Sequence, residues 1–122
     1  MSLKVLLIEP DKRLAEIYAK ALEVKGHIVR HASSAQSAIH QSETDVPDLI
    51  ILEPQLAEHD GVEFLYELRS YTDWQTVPVI IHSFIQPEIL RLSATVLDKL
   101  AVIDCLYKPQ TSLQQLLRAV RV

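Results

Sequence analysis

Three short aliphatic runs that lack polar alternation limit the folds open to this chain. They are Lys4–Ile8 (KVLLI), Asp48–Leu52 (DLIIL) and Pro78–Ile81 (PVII). A strand with one face in solvent carries a polar residue at every second position, whereas a strand buried on both faces is apolar along its length. We therefore predict that these runs are central strands of a sheet covered on both sides.

Helical patterns alternate with the strands along the chain. Two weaker β-rich runs, His27–His31 and a segment within Ala101–Tyr107, bring the predicted strands to five. The helices between them are bounded by residues that start, cap or end helices: Gly26, Ser33 or Ser34, Asp60, Pro87, and Thr111 or Ser112. Five strands that are each followed by a helix predict an α/β fold, a doubly wound five-stranded parallel sheet.

Composition narrows the classes of function. The chain has 122 residues, of which 48% are apolar and 23% charged, as in one ordinary soluble domain. Its single cysteine, Cys105, excludes an internal disulfide framework and a cysteine-based zinc site. The net charge is −4 without a basic stripe, so we expect no direct binding to nucleic acid. No apolar run approaches the ~20 residues of a membrane span and the start does not resemble a signal peptide, so we expect a cytoplasmic protein without membrane contact.

Polar residues follow the ends of four predicted strands: Glu9, Glu53, Ser83 and Lys108. In sheets of this kind the ligand site lies at the carboxyl ends of the strands. Two neighbouring acids repel each other unless a cation lies between them, and either Mg²⁺ or Lys108 can supply that charge. The pattern is therefore open to two interpretations, a ligand site or an acid–lysine pair that only balances charge. Strand alternation turns His82 away from the face of Ser83, where we expect a packed or rim histidine.

Four segments together resemble the receiver domain of response regulators, the chemotaxis type used in two-component signalling: Val5–Asp11, Asp48–Leu56 with Asp60-Gly61 after it, Pro78–Ser83 and Tyr107–Pro109. The resemblance implies a flavodoxin-like sheet with strand order 2-1-3-4-5. It also implies a single receiver-like domain over residues 1–122, which can be a piece of a larger regulator. Its partner would be a histidine kinase or another signalling protein.

The resemblance assigns roles to individual residues. Glu53 lies at the position of the phospho-acceptor aspartate, Ser83 and Lys108 at the positions that contact the phosphoryl oxygens, and Cys105 at the position of an aromatic switch residue. Glutamate places its carboxylate roughly a bond length further out than aspartate, and in-line phosphoryl transfer is sensitive to such a displacement. Phe84 stands where the family has a small residue.

The acidic pocket also departs from the family pattern. Glu9 lies at the first of its two acidic positions, but Pro10 lies at the second and has neither a carboxylate nor an N–H. Asp11 either replaces the missing acid or caps the following helix, and the cap is favoured. The metal-ligand positions are Glu9, Glu53 and Gln55, and we expect Mg²⁺ binding there to be weak or absent. No other cofactor is expected.

Two functions are then open. In the first, the domain is a pseudo-receiver that is not phosphorylated in the usual way and acts by protein–protein contact, with Glu53 beside Lys108 in partial imitation of a phosphorylated aspartate. In the second, it is a working phospho-acceptor in a two-component phosphorelay, with Glu53 or Asp11 as the acceptor. The first is preferred because acceptor, metal ligand and switch are altered together. A small enzyme is the weakest alternative because the chain has no glycine-rich phosphate loop and no Gly-x-Ser-x-Gly elbow. We therefore expect no enzymatic activity.

We also expect Lys108 to pair with Glu53 near the surface, so that its removal changes stability little.

The fourth predicted helix suggests self-association. We predict one continuous helix from Pro87 to Leu100, with more apolar residues than one stripe facing the sheet needs. A symmetric homodimer through the fourth and fifth predicted helices would bury the excess. We expect Leu92 and Val96 to be exposed on this surface.

Overall fold

A five-stranded parallel sheet forms the centre of the molecule, with strand order β2-β1-β3-β4-β5. The computed structural model describes residues 2–42, 45–56, 60–90 and 92–120. The strands are β1 Lys4–Ile8, β2 Ile28–Ala32, β3 Leu49–Leu52, β4 Val79–Ser83 and β5 Val102–Tyr107. The predicted α/β class, parallel sheet and strand order are confirmed.

Six α-helices flank the sheet in these ranges: α1 Lys12–Val24, α2 Ala35–Ser42, α3 Gly61–Leu68, α4 Pro87–Leu90, α5 Ala94–Lys99 and α6 Leu113–Ala119. Side-chain caps start several of them at the predicted places. Asp60 accepts a hydrogen bond from the Val62 N–H, and Ser112 forms a reciprocal capping box with Gln115. In the described ranges, the helices are too short or too polar to cross a membrane.

The prediction of one continuous fourth helix is wrong. The segment forms two short helices, α4 and α5, and Leu92 and Ser93 between them are not helical, while residue 91 lies outside the described ranges. The backbone at Ser93 is extended, and its hydroxyl accepts a hydrogen bond from the Val96 N–H, so a new helix begins there. Leu92 and Val96 are partly buried and pack against the core, which corrects their expected exposure. The exposed large apolar side chain of this segment is Ile89, at 64%.

Two apolar clusters hold the helices to the sheet, one on each face. Leu6 and Ile8 of β1 belong to one cluster, whereas Val5 and Leu7 belong to the other. Every residue of β3 and β4 is buried, including His82 and Ser83, which extend β4 beyond its predicted apolar run. Each large apolar side chain buried in this way contributes ~1.5–3 kcal/mol to folding. The carboxyl ends of the central strands are therefore held in a rigid frame.

A close backbone approach fixes the turn after β3. The Gly61 N–H donates a hydrogen bond of 3.0 Å to the Pro54 carbonyl oxygen. A Cβ atom at position 61 would lie closer to Pro54 than real Cβ atoms come to their neighbours. Glycine is thus required here by the contact between the start of α3 and the chain that leaves β3, and this contact positions the loop after Glu53.

Candidate functional site

Glu9 and Glu53 lie at the carboxyl ends of two paired strands. Each directly follows its strand, β1 or β3. The Glu53 N–H donates to the Ile8 carbonyl at 2.9 Å, which carries the strand pairing up to the acid itself. The two glutamates are only 2% and 3% exposed. Two buried carboxylates on neighbouring strands need positive charge close by.

The ammonium group of Lys108 supplies that charge. Its Nζ lies 2.6 Å from Glu9 Oε1 and 2.9 Å from Glu53 Oε1, and all three side chains are buried. We call Glu9, Glu53 and Lys108 the acid–lysine cluster. The expectation of a pair near the surface is wrong, because the lysine bridges two buried carboxylates. Charges taken out of water in this way depend strongly on one another.

Glu53 receives three further hydrogen bonds. The Ser83 hydroxyl donates to Oε2 at 2.6 Å, the Gln55 N–H donates to Oε2 at 3.2 Å, and the Phe84 N–H donates to Oε1 at 3.2 Å. The Ser83 hydroxyl oxygen in turn accepts from the Ile85 N–H at 2.9 Å. One carboxylate therefore ties together the loops that follow β3 and β4.

The two acidic residues of the loop after β1 accept hydrogen bonds from nearby backbone N–H groups. Glu9 Oε2 accepts a hydrogen bond from the Asp11 N–H at 3.1 Å. The Asp11 carboxylate accepts from the Leu14 N–H at 3.1 Å and caps α1, and the residue is exposed. Pro10 is exposed as well. The favoured role of Asp11, as a helix cap, is the one that its geometry shows.

The acidic pocket offers fewer carboxylates than a magnesium site of the usual receiver type, because Pro10 stands at its second acidic position. The Lys108 ammonium group contacts one oxygen of each glutamate and supplies a counter-charge to both. Gln55 is exposed and contributes its N–H to Glu53. Within the described ranges there is no group of three or more His, Cys, Asp or Glu side chains that could hold a metal ion. Lysine and Mg²⁺ are alternative solutions to the same charge repulsion.

Phe84 lies directly outside the acid–lysine cluster. Its ring centroid is 4.7 Å from Lys108 Nζ, within the range of a cation–π contact. The residue is 53% exposed, so one face of the ring meets the lysine while the side chain still meets solvent. Sequence comparison with the family indicates only that the residue is larger than usual, and no sequence signal predicts that it contacts the lysine.

His82 lies on the opposite face of β4 from Ser83, as strand alternation predicts. It is 3% exposed, and its ring meets that of Tyr18 edge-to-face, with centroids 4.9 Å apart. Burial, with a smaller effect of Lys108, lowers the pKa of His82 to about 4. Burial raises the pKa of Tyr18 to about 12, and the charge of Glu9 adds to that effect. Both rings are therefore neutral at neutral pH and serve as packing groups behind the site.

Cys105, at the predicted switch position, is a half-buried residue of β5 that packs against the core. Burial raises the pKa of its thiol, and Asp104 adds to the shift. The residue lines an open cavity of about 450 Å³ together with Gln86, Glu88 and Thr111. A small side chain thus stands beside open space at the predicted switch position.

The sheet order and the strand-end residues define the class of this domain as a flavodoxin-like signalling fold. The model of the response regulator receiver domain family matches residues 5–121. The chain belongs to this family, and the resemblance found in the sequence is confirmed. Receiver domains are modules of two-component signalling that interact with histidine kinases and other signalling proteins.

Individual relatives agree with this assignment. The chain is 36% identical over 90 residues to the KDP operon transcriptional regulatory protein KdpE of Escherichia coli. The matched residues are 74% of this chain and 39% of KdpE. It is 33% identical over 70 residues to the alkaline phosphatase synthesis transcriptional regulatory protein PhoP of Bacillus subtilis, covering 57% of the chain and 29% of PhoP. The chain thus spans less than two-fifths of the length of these relatives.

Solved structures show the same fold over nearly the whole chain. A two-component response regulator from Clostridium difficile superimposes with a TM-score of 0.82 at 29% identity and covers 96% of this chain and 91% of that one. The chemotaxis response regulator CheY4 of Vibrio cholerae gives a TM-score of 0.84 at 19% identity, covers 98% and 97% of the two chains, and supports the fold alone.

Proposed function

We propose that this chain is a pseudo-receiver: a receiver domain that signals by protein contact without accepting a phosphoryl group. The observation that supports this proposal most directly is the set of hydrogen-bond donors that contact the Glu53 carboxylate. The Ser83 hydroxyl and the Lys108 ammonium group, which stand at the family's phosphoryl-contact positions, both donate to the Glu53 carboxylate. Groups that would hold a phosphoryl group are thus engaged by a side chain that is always present.

Charge supports the proposal. With two glutamates and one lysine, the acid–lysine cluster carries one net negative charge, and Glu53 directs its oxygens toward donors from three loops. Charge-assisted hydrogen bonds of this kind are among the stronger ones in proteins. A phosphorylated aspartate would likewise present anionic oxygens to the hydroxyl and the lysine, so Glu53 imitates that state permanently.

The requirement of phosphoryl transfer for a divalent cation supports the proposal as well. Phosphoryl transfer depends on a divalent cation that neutralises developing charge. With proline at position 10 and Lys108 between the acids, Mg²⁺ has too few free carboxylate oxygens, and we propose that its binding is weak or absent.

The partners follow from the mode of action. A domain of this kind would contact a histidine kinase or another signalling protein, without binding nucleic acid itself. We also propose self-association through α4, α5 and α6, which correspond to the predicted fourth and fifth helices. Exposed apolar side chains lie on or beside these helices at Ile89, Ile103 and Leu113.

Backbone hydrogen exchange tests the permanent state. In the wild-type domain, exchange in the loops after β3 and β4 should be slow and should not change when acetyl phosphate and Mg²⁺ are added. Glu53→Gln should speed exchange at Gln55 and Phe84, because an amide accepts these hydrogen bonds less strongly than a carboxylate. Slower exchange in the wild-type loops on addition of the phosphoryl donor would contradict the proposal and favour a working phospho-acceptor.

A further inference from the structure

The acid–lysine cluster lies at the rim of the sheet, yet it is almost closed to solvent. Glu9, Glu53 and Lys108 are 2%, 3% and 8% exposed, whereas their neighbour Phe84 is 53% exposed. The carboxyl edge of an open α/β sheet is the side on which ligands bind from solvent. Something on the outer side of the cluster therefore separates it from solvent.

The contacts of Lys108 point to Phe84. An ammonium group has three donors and no acceptor. Two directions are taken by the carboxylates of Glu9 and Glu53, at 2.6 and 2.9 Å. The aromatic ring of Phe84, 4.7 Å from Nζ, lies over the same ammonium group. A ring face attracts a cation through its quadrupole, and the attraction is stronger when water is excluded.

A hydrogen bond fixes the backbone of Phe84, whereas no hydrogen bond fixes its ring. The Phe84 N–H donates to Glu53 Oε1, and the preceding hydroxyl of Ser83 donates to Glu53 Oε2. The ring makes no hydrogen bond and has solvent on its outer side. Rotation about the side-chain torsions can therefore uncover Lys108 without disturbing the hydrogen bonds to Glu53.

We propose that Phe84 is an aromatic cover for the acid–lysine cluster. Its ring shields the Lys108 ammonium group and the Glu53 carboxylate from solvent, cations and phosphoryl donors. This inference rests on the proposed function and deepens it, since it names a steric reason why a donor does not reach Glu53.

Chemical labelling of Lys108 tests the cover without any phosphoryl donor. The full chain is treated with an amine-acylating reagent, and labelling of Lys108 is followed by peptide mass spectrometry, with Lys12, an exposed residue of α1, as the internal reference. Relative to Lys12, labelling of Lys108 should be slow in the wild type and about tenfold faster in Phe84→Ala, the scale expected for loss of one shielded cation–π contact. Phe84→Tyr keeps the ring and should label as the wild type does.

The outcomes separate cover from general loosening. Circular dichroism establishes that each variant is folded, and Phe84→Leu, which keeps bulk but no aromatic face, should label faster than the wild type and more slowly than Phe84→Ala. Equal Lys108 labelling in the wild type and both ringless variants would overturn the cover, as would fast labelling in Phe84→Tyr. Phosphorylation of the wild-type chain would overturn the proposed function while leaving this labelling pattern interpretable, so the two failures are distinguishable.

Discussion

The hydroxyl of Ser83 donates a hydrogen bond of 2.6 Å to Glu53 Oε2, although the two residues lie on different strands and 30 positions apart in the chain. Ser83 is fully buried and Glu53 is 3% exposed, so neither group exchanges this partner readily for water. In the family, the same hydroxyl position serves the phosphoryl group. This hydrogen bond engages the Ser83 hydroxyl with the Glu53 carboxylate, as the proposed pseudo-receiver requires.

Removal of Lys108 should be costly. We expect Lys108→Met to lower the free energy of unfolding by about 3–5 kcal/mol, because it leaves two buried carboxylates without their counter-charge. Urea unfolding monitored by circular dichroism measures the change. Lys12→Met, on the exposed face of α1, is the control and should stay within about 0.5 kcal/mol of wild type. A loss below about 1 kcal/mol for Lys108→Met would contradict this expectation, because it would show that water solvates the two carboxylates once the lysine is removed.

Stability should depend on the protonation of His82. Its pKa in the folded chain is about 4, against an ordinary value of 6.5, so between these pH values the unfolded chain binds a proton that the folded chain does not. The free energy of unfolding should therefore fall as the pH drops from 6.5 towards 4, by up to about 1.4 kcal/mol per pH unit, and this contribution is fully present above pH 6.5.

Urea unfolding of His82→Phe across the same range checks this dependence. The variant keeps an aromatic ring against Tyr18 but cannot titrate, so its stability should fall less steeply with decreasing pH. His40→Gln, at an exposed position of α2, is the control and should keep the wild-type slope. Identical slopes for His82→Phe and wild type would show that His82 does not carry the effect.

Restoring the family pattern should restore metal binding. We expect the wild type to show no saturable Mg²⁺ binding by calorimetry, whereas Pro10→Asp with Glu53→Asp should bind it, because the second acid returns and the shorter side chain withdraws from Lys108. Adding Glu9→Gln to the double variant should weaken that binding. Saturable binding by the wild type that is lost in Glu9→Gln would mean that Asp11 or water replaces the missing ligand.

Self-association should run through the α4 side of the domain. We expect a dimer by sedimentation at micromolar concentration, with or without acetyl phosphate, and a monomer for Ile89→Glu, because Ile89 is the exposed apolar residue of α4. Val24→Glu places the same charge on an exposed residue at the end of α1 and should leave the dimer intact. A wild-type chain that stays monomeric, or dimerises only with the phosphoryl donor, would contradict this prediction.

The fold could be predicted from the sequence because its strongest signal is physical and local. Apolar runs such as those of β3 and β4 have few alternatives to a strand buried on both faces. The site positions followed from topology, since the carboxyl ends of parallel strands share one edge. The sequence therefore predicts that Glu9, Glu53 and Lys108 lie together, and the structure brings them into contact.

Other features depend on competing local interactions that the spacing of apolar residues does not show. The fourth helix is interrupted because the Ser93 hydroxyl caps a new helix, and a serine within an apolar repeat does not by itself show whether it will do so. The burial of Lys108 and the position of the Phe84 ring depend on side-chain conformations at the ends of several strands. Such arrangements are set by tertiary packing, and no local pattern in the chain encodes them.

The most direct test is the intact mass of the wild-type chain after incubation with acetyl phosphate and Mg²⁺. A receiver domain with aspartate at the acceptor position is treated in parallel to show that the donor is active, and Glu53→Gln controls for modification elsewhere. The pseudo-receiver proposal predicts an unchanged mass for the wild type beside a phosphorylated control. A stoichiometric gain of one phosphoryl group by the wild type, absent in Glu53→Gln, would contradict it.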